Sequence, residues 1–502
     1  MRSVHIGKSV KEFNSIISKS NITVIKRFEG VRLYLDTFDW RLQKEGMVLY
    51  LQKNELTLLF STNEFPEISK VTRRPKFSTD LGSGRIRMAL EDVMGVRALI
   101  PVIRQKVATA HYAVLDSNKK TVLRILTEHV LPLEEAPVFL ELYPVKGYDG
   151  IYREVKAVLP AHGFQQAKQN FFEYLVGKNQ IVTERFGSKK SYPLHAEMSV
   201  REAVNTIHRQ LLNIMCENEE GIIRDIDTEF LHDFRVAVRR TRSLYSQVKD
   251  VFDPHIIRQA REDFSNLGKR TNLLRDIDVY LLNQSTYKSL LPDSMHSALE
   301  YFFKRLVGER KTECVRFARY LQTKNYHKMI AKWESILAEN NAGQSAGAIP
   351  ILEFASARIL KRYQQVIKHG NRINDLTPDN KLHRLRIEGK KLRYTLEFFS
   401  ALFDSEIMAD MIRHLKKLQD NLGEFNDLSV QQRYLYDFAV DMDLSMDKNR
   451  HIIITLGVLI GRLYHRQRMV REQFRNNYDY FSETQKTEWI MELSNSKGII
   501  KS

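Results

Sequence analysis

One twelve-residue pattern occurs twice in this chain: LHDFRVAVRRTR from Leu231 to Arg242, and LHRLRIEGKKLR from Leu382 to Arg393. In each, a histidine is followed at +3, +7, +8 and +10 by Arg or Lys: His232, Arg235, Arg239, Arg240 and Arg242, then His383, Arg386, Lys390, Lys391 and Arg393. The offset is 151 residues, and it aligns more than the helix. Leu402-Phe403-Asp404 falls on Val251-Phe252-Asp253, Leu418 on Leu267, and Asn426-Asp427 on Arg275-Asp276. Ungapped self-similarity over such a length predicts two copies of one structural unit.

At about 100° per residue, offsets 0, +3, +7 and +10 fall within an arc of roughly 80°. Each histidine and three cations therefore share one stripe, with the +8 residue to the side. Phe234, Ala237, Val238, Thr241, Leu244 and Tyr245 gather on the opposite face, as do Leu385, Leu392 and Leu396. Each helix is expected to pack on one side and present cations on the other.

Solvated helix faces usually mix charges of both signs. Here His232 to Arg242 holds four Arg against one acid, Asp233, and His383 to Arg393 holds five cations against Glu388. Arg235 with Arg239, and Arg386 with Lys390, are like charges at i and i+4, which destabilise an isolated helix. Repulsion kept at equivalent places in two copies predicts an anion that offsets it.

A chain of 502 residues with 43% hydrophobic content has room for three domains, each with a core. A pI near 9.5 and a charge of +17 favour acidic partners. The excess is split, +10 in residues 1–190 and +7 in the rest, so clustering and not net charge locates the site. Two cysteines, Cys216 and Cys314, form neither a disulfide framework nor a zinc pattern; they read as core residues of a protein in a reducing compartment. The first twenty residues lack the apolar core of a signal peptide. The longest apolar run, Ile452 to Ile460, is interrupted by Thr455 and Gly457 and is far short of the roughly 20 residues of a spanning helix. The expectation is a soluble, cytoplasmic protein with no membrane insertion.

Val31 to Leu35, Met47 to Leu51, Leu56 to Phe60, Thr121 to Leu126 and Val138 to Tyr143 are short strand-like runs, separated by turn signals such as Asp116-Ser117-Asn118. They predict an antiparallel α+β domain over residues 1–186. A polar linker at 187–193 follows, and helical spacing then continues almost to the end. The break at Asn340 to Ala348 separates repeat one, about 194–340, from repeat two, about 350–480, and residues 481–502 form a helix end and tail.

The doubled His-x-x-Arg-x-x-x-Arg-Arg-x-Arg pattern, with LRDIDVYL (Leu274 to Leu281) and LQDNLGEFND (Leu418 to Asp427) after it, resembles the CHAD family. The resemblance covers about residues 194–480. It implies an all-α domain of two pseudo-symmetric four-helix bundles that binds inorganic polyphosphate in a basic channel between them. The implied ligand-binding residues are the ten His, Arg and Lys already named. Lys361, Arg362, Lys416 and Lys417 read as surface charge in the first place and as extensions of the channel in the second. Two departures stand out: Lys390 and Lys391 replace an Arg pair, and Thr271-Asn272 stands where Leu422-Gly423 predicts Leu-Gly. Lys keeps the charge but loses the bidentate fork.

Tyr34-Leu35-Asp36-Thr37, with Leu42 and Gly46, resembles the CYTH or triphosphate-tunnel family, which implies a tunnel-like β-barrel for the N-terminal domain. That family opens with Glu-x-Glu-x-Lys, whereas Met1 to Lys8 contains no acid. Tyr50 and Gln52 stand where arginines are expected, and Glu141 is what remains of a late acidic strand. A metal-dependent phosphohydrolase needs carboxylates to hold Mg²⁺ or Mn²⁺. The domain therefore reads as a degenerate, non-catalytic relative, in which Arg104, Lys106, Arg124 and Lys168 are left to line a basic cavity.

The expected function is non-catalytic polyphosphate binding, with granule association, no cofactor and no metal. His232 and His383 share the stripe as phosphate contacts, or else serve in packing. Asp276 and Asp427, each 44 residues after its histidine, are read as ion-pair partners or as acids that orient a basic side chain. Two alternatives rank lower. Nucleic-acid binding suits the charge, but the stripes carry no interleaved aromatics. A metal-dependent inorganic triphosphatase would require the missing acids. No protein partner is legible.

Overall fold

Each apolar run read as a strand in the first 186 residues falls in one, though two of those strands extend well beyond the run, in the computed structural model, which describes residues 2–8, 22–60, 65–132, 136–183, 192–338, 349–443 and 445–483. Two compact units divide the chain, Met1–Arg185 and Phe186–Ser502. The linkers expected at 187–193 and 340–348 and the tail from 481 fall largely outside the described residues.

The first unit is built on strands β1 (Ser3–Gly7), β2 (Ile22–Asp36), β3 (Val48–Gln52), β4 (Glu55–Leu59), β5 (Glu67–Lys70), β6 (Ile100–Leu115), β7 (Thr121–Val130), β8 (Val138–Pro144) and β9 (Gln165–Gln166). All pairings are antiparallel, in the order β5-β4-β3-β2-β6-β7-β8-β1-β9. Helices α1 (Arg41–Lys44), α2 (Arg85–Met94), α3 (Asp149–Val158) and α4 (Phe171–Lys178) pack around it. Among the described residues the expected barrel does not close: the sheet ends in short edge strands, β5 and β9, with no ladder between them. Strand twist nonetheless curls the sheet, so that Arg2, beside β1, donates from Nη1 to the carbonyl of Phe60, just after β4, at 3.1 Å.

The concave interior is polar yet internally neutral. Cross-strand register sets Arg32 opposite Gln52 and Tyr34 opposite Tyr50. Arg32, fully buried, lies 3.8 Å over the Tyr50 ring, donates to Tyr34 Oη at 3.1 Å and pairs with Glu128 of β7. Arg2 pairs with Glu141 at 2.7 Å. A cleft of about 700 Å³ here is lined by Arg2, Glu128, Glu141 and Lys168 among others. Arg104, Lys106 and Arg124, expected to share this cavity, are exposed instead, and Arg124 stacks on Phe65. Strand alternation turns Arg104 and Lys106 outward, whereas Arg124 shares a face with Glu128 but lies four residues before it along β7, outside the residues that line the cleft.

The second unit is helical: α5 (Val200–Ile223), α6 (Thr228–Gln247), α7 (Pro254–Arg270), α8 (Asn272–Leu282), α9 (Gln284–Ser289), α10 (His296–Leu321), α11 (Lys324–Ala338), α12 (Ile351–Gly370), α13 (Asp379–Phe399), α14 (Ser405–Val440), α15 (Asp447–Glu472) and α16 (Phe474–Glu483). The duplication governs where they start. Val200 and Ile351, Thr228 and Asp379, Pro254 and Ser405, and His296 and Asp447 open equivalent helices, each pair 151 residues apart. Asp253 and Asp404, another such pair, cap their helices by accepting from backbone N–H groups of the first turn.

Contacts between repeats join equivalent elements: α5 with α12, α6 with α13, and α10 with α15. At Ser199 and Pro350 an isolated antiparallel bridge forms, in which Val200 N donates to Ile349 O at 3.0 Å and Ile351 N to Met198 O at 2.8 Å. Swapping the repeats exchanges these two bonds, as a pseudo-twofold axis requires. The copies differ at Thr271-Asn272, where α7 ends and α8 begins; the equivalent Leu422-Gly423 lies inside the unbroken α14.

Candidate functional site

The two basic helices, α6 and α13, meet across the repeat boundary, and the apolar residues expected behind them are buried, from Phe234 and Leu244 to Leu385 and Leu392. Burial of those faces fixes each helix's rotation. Arg239 Nε donates to Tyr394 Oη at 2.6 Å, so a cation of one repeat is anchored by the other. Burial lowers the pKa values of Arg386 and Lys390, and Arg239 lies close enough to both to add to the effect. Lys390 falls to about 8, first through burial and then through Arg386 and Arg239. Among the described residues no carboxylate lies within ion-pair distance of Arg239 or Lys390.

Two clefts open on either side of this contact and share Arg239, Arg386, Lys390 and Tyr394. The first, about 770 Å³, adds Arg242, Lys249, Arg261, Arg362 and Lys391. The second, about 650 Å³, adds His232, Arg240, Arg393 and Lys416, together with Glu397, Asp420 and Asp427. Eight of the ten residues named from sequence thus line one cleft or both.

Arg235 and His383 line neither. Arg235 donates from Nη1 to the carbonyl of Gly268 at 3.2 Å and to the Thr271 hydroxyl, and from Nη2 to Asn272 Oδ1 at 3.1 Å. It caps the break between α7 and α8. Burial lowers its pKa to about 10 despite the nearby Asp276. In the unbroken second repeat its counterpart Arg386 contacts Asp427 at 3.3 Å instead. His383 is exposed, with Nδ1 2.5 Å from Asn426 Oδ1. Arg240 is buried and paired with Glu397, which holds its pKa up against the cost of burial. Lys391 meets Glu388 at 2.8 Å, and Arg362 reaches the same acid at 3.6 Å.

Of the possible extensions, Arg362 and Lys416 line clefts, while Lys361 is exposed and Lys417 lies over the Tyr480 ring. Lys249, Arg261, Tyr394 and Glu397 were not read from the sequence. Lys249 and Arg261 face Ser400 and Ile412 in the alignment of the copies, so a search for cations matched in both repeats passes over them. Among the described residues no group of three or more His, Cys, Asp or Glu side chains is placed to hold a metal, and no helix is long and apolar enough to cross a membrane.

The family model of the CHAD domain matches residues 206–436, which include both basic helices and their contact. The helical unit carries a CHAD domain. Its fold is that of the crystal structure of the CHAD domain from the plant Ricinus communis, which aligns at 24% identity and a TM-score of 0.50 over 59% of this chain and 96% of that one. PptA from Streptomyces chartreusis aligns at 14% identity and a TM-score of 0.42, over 56% of this chain and 99% of that one. A putative adenylyl cyclase from Hippeastrum, described as having a dominant triphosphatase activity, aligns at 11% identity and a TM-score of 0.27 over 36% of this chain and 98% of its own length. A search of curated proteins finds no match.

Proposed function

We propose that the CHAD domain binds inorganic polyphosphate in the cationic space between α6 and α13, without chemistry on the polymer, in the cytoplasm and on polyphosphate granules. The observation that carries this reading is Arg239 set against Arg386 and Lys390 across the repeat boundary, with no acid paired to Arg239 or Lys390 among the described residues. Like charges set together across the repeat boundary repel one another unless a counter-anion joins them. A linear chain of phosphates suits such a lining, because Arg engages two phosphate oxygens and Lys one. A run of cations along one groove suits an extended polymer better than a compact ligand.

The non-catalytic part is supported by the lining of the first cleft, where guanidinium and ammonium groups predominate and no carboxylate among the described residues stands to hold a metal or act as a general base. In the N-terminal unit Glu128 and Glu141, which line the cleft, each engage an arginine. That arrangement favours a structural role over metal-dependent hydrolysis.

Calorimetric titration of polyphosphates of defined length into wild type and an Arg239→Glu/Lys390→Glu variant tests this. Affinity is expected to rise with chain length, fall with salt and collapse in the variant. Equal affinity in both proteins removes the site. Phosphate release from tripolyphosphate with Mg²⁺ or Mn²⁺ overturns the non-catalytic part, and DNA that long polyphosphate cannot displace favours a nucleic-acid ligand.

A further inference from the structure

The operation that exchanges the repeats also exchanges the two clefts. Arg242, Lys391 and Ile387 line the first, and their counterparts at the 151-residue offset, Arg393, Arg240 and Val236, line the second. A strict duplication would make the clefts alike. Three further pairs make them differ: Ser246, Lys249 and Arg261 line the first cleft where Glu397, Ser400 and Ile412 line the second. Each difference shifts charge in the same direction. The first cleft is lined by eight cations and no acid, the second by six cations and three acids.

Glu397 shows what its position does. One carboxylate oxygen accepts from Arg240 of the first repeat and the other from Arg393 of the second, both at 2.6 Å. The counterparts of this triad in the first cleft are Lys391, Ser246 and Arg242. Serine is too short to place an anion between the two cations, and its hydroxyl donates to the Ser243 carbonyl at 2.7 Å. Lys391 still contacts Glu388 at 2.8 Å, but Arg242, Lys249 and Arg261 have no carboxylate within ion-pair distance among the described residues.

We propose that the binding channel is one-sided: a phosphate group of the ligand occupies, in the first cleft, the place between Arg242 and Lys391 that the Glu397 carboxylate occupies between its counterparts in the second. This rests on the polyphosphate reading of the site. Glu397 is a built-in counter-anion that repels the polymer from the second cleft, while Lys249 and Arg261 extend the first. A tethered carboxylate needs no ordering from solution, so it outcompetes a free anion for the same two arginines.

Titration with tripolyphosphate, short enough for one cleft, tests the asymmetry, with long polyphosphate as a parallel arm and circular dichroism as the check on folding. Wild type is expected to take one tripolyphosphate per chain. Ser246→Glu is expected to weaken that binding at least tenfold, and Glu397→Ser to add a second tripolyphosphate. Should Glu397→Ser fail to fold, Glu397→Gln retains an acceptor for the arginines while removing the charge, and is also expected to admit a second ligand. Two equal sites in wild type, or Ser246→Glu binding as wild type does, overturns one-sidedness even where long polyphosphate still binds. Absence of binding to wild type at every length instead removes the polyphosphate reading and this proposal with it.

Discussion

Arg239 and Tyr394 are joined across the repeat boundary by a 2.6 Å hydrogen bond from guanidinium Nε to the phenol oxygen. Both residues line both clefts, and the bond engages only Nε of the guanidinium. It also ties the rotation of α6 to that of α13.

Tyr394→Phe keeps the ring beside Phe398, 6.4 Å between centroids, and removes only the acceptor. A hydrogen bond from a charged group at a partly exposed site contributes about 1 kcal/mol. Polyphosphate binding should weaken roughly fivefold while the melting temperature shifts by a few degrees at most. Calorimetry beside a thermal melt checks both, and unchanged affinity means the phenol does not aim Arg239.

Cations that meet phosphate should appear in the salt dependence. Arg239→Ala and Lys390→Ala are each expected to reduce the slope of log affinity against log salt by roughly 0.7–0.9. Arg235→Ala should leave the slope near wild type and cost about 1–3 kcal/mol of stability, since the Gly268 carbonyl and Asn272 lose a donor. Titrations at several salt concentrations, with urea unfolding of the same proteins, separate these roles.

Lys390, with its pKa lowered to about 8 by burial and neighbouring arginines, predicts a pH window for binding. Below pH 8 it is already charged, and the polyanion binds without recruiting a proton. Above pH 8 it is mostly neutral in the free protein; a bound anion raises its pKa, so binding takes up a proton and affinity falls by up to tenfold per pH unit. Lys390→Arg, which stays charged, should flatten the profile between pH 8 and 10. Calorimetry in buffers of different ionisation enthalpy measures the proton uptake, and none at pH 9 refutes it.

In the N-terminal unit, Arg32→Met should destabilise by roughly 3–5 kcal/mol, because it leaves Glu128 buried without its partner. The double variant Arg32→Met/Glu128→Leu should recover most of that loss. Urea unfolding reads both, and additive losses would show that the pair does not act as a unit.

Much of the helical unit was legible because its signals are local or covalent. Apolar spacing identified the buried faces of α6 and α13, and the offset that predicted two copies of one unit is repeated in four pairs of helix starts. The Thr271-Asn272 departure was visible too, though not its effect, a helix break that engages Arg235. Strand β6 escaped notice because Arg104, Gln105 and Lys106 interrupt its apolar pattern, while its pairing with both β2 and β7 makes it a central strand. Sheet closure was equally out of reach, since it depends on whether edges far apart in the chain meet.

By itself the amino-acid order determined that one unit occurs twice and that each copy carries a cationic stripe opposite an apolar face, because helical periodicity is written in residue spacing. Tertiary structure alone decided which cations confront one another and which are neutralised. Arg240 and Arg239 are adjacent and chemically identical, yet one meets Glu397 and the other Tyr394 at the repeat boundary. Electrostatic energy depends on distance in space and on burial, and for partners more than 150 residues apart only the folded chain supplies either.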